Sequence, residues 1–162
     1  MGLSDFLERR ILRVEADTRC ELCQPLPPGA DRGRYVWEDD RWRLWTLTTG
    51  QVPGYSFLTP KRHIPYVTDL DGAEATALGP VLARLSAAVR DAAGAELVHL
   101  HVFGDGVAHF HVHLVPHTRG DSLSTTIVRE DAGPEPSVEK LAEVAARLAD
   151  TLSTARGSSK DQ

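Results

Sequence analysis

The chain has 162 residues, 41% hydrophobic and 25% charged, and carries a formal net charge of -5. That is about one domain's length with enough apolar material for a core, which argues against an intrinsically disordered polymer. The acidic balance argues against a protein that coats nucleic acid, and no apolar run approaches the roughly 20 residues of a membrane span.

The first residues hold no long apolar signal core, and Phe6 stands where a myristoylation signal wants Ser or Thr. The chain is therefore expected to be cytoplasmic, with neither a membrane nor a nucleic acid as partner. Its expected organisation is a single domain over residues 1–152, followed by a disordered tail over 153–162.

In chain order, residues 3–16 read as a helix, because Leu3, Phe6, Leu7, Ile11 and Val14 recur at helical spacing. Cys20 and Cys23 follow, then an irregular Pro-rich loop over 24–34. Strands are predicted over 34–38 and 42–48, with Asp39 and Asp40 in the turn between them. Gln51-Val52-Pro53-Gly54 turns into a short strand over 55–59.

Residues 70–93 read as a helix with a stripe of Leu78, Val81, Leu82, Leu85 and Val89. Gly79-Pro80 should kink or restart it, and Gly94 is a C-cap candidate. Residues 97–103 and 107–116 alternate as half-buried strands do, joined by a Gly104-Asp105-Gly106 hairpin. A further strand is predicted over 123–128. A last helix over 138–152 would be capped by Ser137. Strands with segregated helices make the fold class α+β.

Histidine placement is uneven. Six of the seven lie between His99 and His117. His109, His111 and His113 take every second position of a predicted strand, so their rings should share one face while Phe110, Val112 and Leu114 face the core. Pairing Phe103 with Val107 across the hairpin would set His101 opposite His109 and His99 opposite His111. Buried imidazoles without partners cost free energy, so such a patch has little folding rationale. A metal site or histidine nucleophilic catalysis explains it better. The Cys20–Cys23 pair is compatible with free thiols or half of a metal site.

His109-Phe110-His111-Val112-His113-Leu114-Val115 resembles the His-φ-His-φ-His-φ-φ signature of the histidine triad (HIT) superfamily of nucleotide hydrolases and transferases. Val52-Pro53-Gly54-Tyr55 and Thr59-Pro60-Lys61-Arg62-His63-Ile64 resemble the family's Pro-Gly turn and Pro-Lys-x-His segment, and Cys20-Glu21-Leu22-Cys23 is similar to its zinc-binding subset. The resemblance covers residues 20–120. It implies a HIT-like antiparallel sheet of about five strands with flanking helices, to which this chain adds N- and C-terminal helices, usually as a homodimer.

The resemblance also implies chemistry at the α-phosphate of a nucleotide. His111 would be the nucleophile, forming a nucleotidyl-histidine intermediate, and His113 would donate to a phosphate oxygen or the leaving group. Both uses suit imidazole, a covalent nucleophile that is largely neutral at cellular pH. Structural zinc would sit on Cys20, Cys23, His63 and His109, two thiolates and two imidazoles closing a tetrahedral site. Thr48, Asp105 and His117 are the remaining candidates for substrate contact. Lys61, Arg62 and Arg119 are cations near enough to be weighed for phosphate.

The pattern departs from the family where Gly104-Asp105-Gly106-Val107-Ala108 replaces the usual Gly-Gln-Ser/Thr-Val-x and where Pro116-His117 replaces Pro-Arg. His99 and His101 are additional. Two alternatives therefore stand beside the hydrolase or nucleotidyltransferase reading. One is a repurposed metalloenzyme using the histidine cluster as a catalytic metal site. The other is a non-catalytic nucleotide-binding module.

Overall fold

The computed structural model describes residues 20–24, 33–104, 106–121 and 135–157. The predicted helix over 3–16, the strand over 123–128 and Asp105 lie outside these residues, as does most of the loop over 24–34. The described elements are β1 (Arg34–Glu38), β2 (Trp42–Thr46), β3 (Ser56–Pro60), a 3-10 turn (Val67–Asp69), α1 (Gly72–Ala93), β4 (Leu97–His101), β5 (Val112–His117) and α2 (Val138–Gly157).

The five strands form one antiparallel sheet in the order β1-β2-β3-β5-β4. The turn between β1 and β2 closes as its Asp predicts, because Asp39 Oδ1 accepts from the backbone N–H of Arg41 at 2.8 Å and Trp42 at 2.7 Å. Leu44, Leu58 and Val112 stand in register on one face and pack with Leu85, Val89, Ala92, Leu148 and Leu152 of the helices. The opposite face carries a second row through all five strands: Tyr35, Trp45, Phe57, His113 and His101. The sheet thus separates an aliphatic core from an aromatic, imidazole-bearing surface.

Three expectations need correction. First, α1 runs unbroken through Pro80. Gly79 immediately before it has no Cβ to meet the proline ring, the usual source of the clash. The helix ends at Gly94, in the left-handed conformation with φ of 67°, as the cap reading requires. Second, the last helix, expected to end at 152, continues to Gly157. The Ser137 cap is present, its Oγ accepting from the N–H of Lys140 at 3.2 Å.

Third, the strand predicted over 107–116 begins only at Val112, and its register on β4 differs. His101 faces His113 and His99 faces Val115, not His109 and His111. The segment before β5 is held elsewhere: the N–H of Phe110 donates to the Ile64 carbonyl at 2.6 Å, and His109 bonds back to Val107. His109 is thereby drawn away from the sheet, and the connection from β4 is longer than a tight hairpin.

Candidate active site and metal cluster

Two sites meet at the segment 109–113. In the first, Cys20, Cys23, His63 and His109 bring one ligand atom each within 4.8 Å of one another. Cys20 Sγ and Cys23 Sγ lie 3.3 Å from His109 Nδ1, and Cys23 Sγ lies 3.3 Å from His63 Nδ1. A tetrahedral zinc with bonds of about 2.3 Å to sulfur and about 2.0 Å to nitrogen would set such edges near about 3.5 Å, so the donor set fits. His109 is 1% exposed. Its Nε2–H donates to the Pro60 carbonyl at 3.0 Å, which turns the lone pair of Nδ1 toward the sulfurs. Burial, opposed by that carbonyl and aided by neighbouring His63, His111 and Arg43, holds His109 below the ordinary imidazole pKa. The cysteines are not joined in a disulfide.

In the second site, the His111 and His113 rings lie 4.9 Å apart. His111 Nδ1–H donates to the His109 carbonyl at 2.8 Å, leaving Nε2 with no hydrogen-bond partner among the described residues. His113 Nδ1 lies 2.7 Å from the Tyr55 hydroxyl, while its Nε2 is buried and meets no partner among the described residues. The His113 ring is enclosed by Phe57 at 4.7 Å and Phe103 at 5.0 Å, centroid to centroid. Burial, with His111 and His101 beside it, pushes its pKa down to about 4. Burial also raises that of Tyr55. At neutral pH the pair carries no charge.

The other candidates are placed as follows. Thr48 sits just beyond β2, in the loop where the N–H of Leu47 bonds to the Tyr55 carbonyl at 2.8 Å. His117 ends β5, about 20 Å of extended chain from His111. Its Nδ1–H donates to Asp121 at 2.9 Å, and its ring lies 4.8 Å from that of His99. Arg62 is committed to Glu74 at 3.2 Å and to Asp71, tying the loop after β3 to the start of α1. Lys61 pairs with Glu38 at 3.2 Å. His99, His101, His111 and His113 do not assemble a second ligand set among the described residues, where the Cys-His cluster is the one such group. Sequence reasoning missed Tyr55 as a site residue. Its signal was the Pro-Gly turn, because Gly54 at φ of 87° delivers Tyr55 to the head of β3.

A family model of the HIT domain matches residues 31–120. Histidine triad proteins are thus the class that the fold and the family model define, and the chain belongs to the HIT domain family. Among solved structures, it is similar to a HIT-like protein involved in cell-cycle regulation from Bartonella henselae. That match has 22% identity and a TM-score of 0.64, and covers 84% of this chain and 98% of the other. It is also similar to a zinc-bound histidine triad family protein from Mycobacterium smegmatis, at 22% identity and a TM-score of 0.61, over 84% and 97% of the two chains. A hypothetical histidine triad nucleotide-binding protein from Sulfolobus tokodaii matches at 20% identity and a TM-score of 0.59, over 80% and 90%. No curated protein sequence matches the chain.

Proposed function

We propose that the protein is a nucleotide hydrolase or nucleotidyltransferase in which His111 attacks an α-phosphate and carries the nucleotidyl group until water or another acceptor removes it. One observation carries this reading. The His109 carbonyl accepts a hydrogen bond from Nδ1–H of His111 at 2.8 Å, so the Nε2 lone pair sits on a ring fixed in orientation and has no partner among the described residues. His113 supports the charge that develops on departing or equatorial oxygens. The half-buried Trp45 and Phe57, 5.0 Å apart in the row beside His113, offer a stacking surface for a nucleobase.

Zinc on Cys20, Cys23, His63 and His109 would be structural, since four protein ligands leave no open position. Its place in the design is to anchor the Cys-x-x-Cys segment and the loop before β5, which fixes the His109 carbonyl. The site is expected to act in the cytoplasm within a homodimer.

Phosphoramidates of nucleosides, nucleotidyl conjugates and dinucleoside polyphosphates are the substrates to assay, following nucleoside monophosphate release. The reading predicts turnover of at least one class, lowered about a thousandfold or more in His111→Ala. Full activity in that variant would overturn it, and tight binding without turnover would favour the binding-module alternative.

A further inference from the structure

We infer that Tyr55 is a positioning residue, whose hydroxyl donates to His113 Nδ1 and so fixes His113 as a neutral Nε2–H donor. Three groups decide the direction of this bond: the phenol proton, Nδ1 and Nε2. If Tyr55 donates to Nδ1, both are satisfied, and only the Nε2–H waits for an acceptor. If Nδ1–H instead donates to the phenol oxygen, the phenol proton has no acceptor and the Nε2 lone pair has no donor. No other hydrogen bond of the Tyr55 hydroxyl exists among the described residues, and Nε2 is buried without a partner. One orphaned group costs less than two.

The surroundings favour the same state. His113 is faced by His111 from its own strand, by His101 directly across β4, by Tyr55 at the head of β3, and by the rings of Phe57 and Phe103. No carboxylate bonds to it among the described residues, so nothing favours a second proton. The depressed basicity of His113 and the raised pKa of Tyr55 agree with a neutral pair.

A consequence follows for the chemistry, which rests on the nucleotidyl-transfer reading. A neutral imidazole does not give up its remaining N–H at cellular pH. His113 therefore lends a hydrogen bond to the leaving atom or a phosphate oxygen, and the leaving group's proton comes from elsewhere, such as solvent or the substrate itself. The donor is built in advance, so it needs no reorganisation as charge develops.

Nitrogen-15 NMR of the metal-loaded protein, with histidine ring shifts assigned, tests the inference without any substrate. The expected result is a neutral His113 with Nε2 protonated and Nδ1 bare near pH 7. In Tyr55→Phe the Nδ1 signal should move toward a mixture of tautomers while the other histidines hold their shifts. A wild-type ring protonated at Nδ1, or at both nitrogens, overturns it, and so does a Tyr55→Phe spectrum with His113 unchanged. The wild-type measurement stands alone if the variant does not fold.

With a turned-over nucleotide, Tyr55→Phe should lower kcat about tenfold and leave KM within about twofold. The loss should be greater for substrates with poorer leaving groups. A uniform rise in KM with unchanged kcat contradicts the positioning role. Absence of turnover in the wild type, alongside the expected NMR result, instead counts against the nucleotidyl-transfer reading.

Discussion

At the scale of single residues, the site works by disposing of protons. Each of three histidines has one ring nitrogen assigned by a neighbour: His109 by Pro60, His111 by the His109 carbonyl, His113 by Tyr55. A group kept neutral by burial has a measurable linkage to stability. The folded pKa of His113 is about 4, against 6.5 for a free imidazole. The unfolded chain therefore takes up this proton first, and stability is lost as the pH falls from 6.5 toward 4. One pKa unit corresponds to about 1.4 kcal/mol, and solvent screening of a partly exposed ring leaves an expected loss of about 2 kcal/mol. In urea unfolding, wild type should lose that much more than His113→Gln between pH 7 and pH 4. Parallel losses, with metal release common to both proteins, would contradict it.

At the scale of elements, the connection between β4 and β5 shows what the sequence told and what it withheld. Alternation in 107–116 announced a strand with imidazoles on one face, and of His109, His111 and His113 only His113 stands on β5. It could not announce that His109 leaves the ladder, because periodicity reports the local chain and the Cys cluster is a long-range partner. The resemblance in the Cys-x-x-Cys and Pro-Lys-x-His segments supplied the partners that periodicity lacked. Tyr55 was legible as part of a turn yet not as a site residue, since its role depends on register between β3 and β5.

The same cross-element ties can be tested. Removing metal with a chelator, or Cys23→Ser, should lower the Tm by about 10 °C, as expected from losing a few kcal/mol in a domain of this size. An unchanged Tm would remove the cluster's structural role. Gly54 has φ of 87°, and a Cβ there would meet Val144 Cγ1 of α2 at 3.1 Å. Gly54→Ala should cost about 2 kcal/mol by equilibrium unfolding, and a loss within about 0.5 kcal/mol would show that the turn tolerates a side chain.

At the scale of the whole molecule, the sheet ends in β4, whose outer edge has no strand partner among the described residues. Leu97, Leu100, Val102 and Phe103 on and just after this strand are between 43% and 49% exposed. An apolar, open edge is a template for pairing and supports the proposed homodimer. Light scattering should give a dimer mass for wild type and a monomer for Leu100→Lys. A monomeric wild type would contradict the assembly. No described helix is long and apolar enough to cross a membrane.

The most direct measurement of the central claim is intact-protein mass spectrometry after rapid mixing with a nucleoside phosphoramidate and quenching in alkaline denaturant, which preserves phosphorus–nitrogen bonds. Wild type should gain the mass of one nucleotidyl group, mapped by fragmentation to His111, and His111→Ala should gain none. Turnover with no adduct on His111, or an adduct that persists in His111→Ala, would contradict the account.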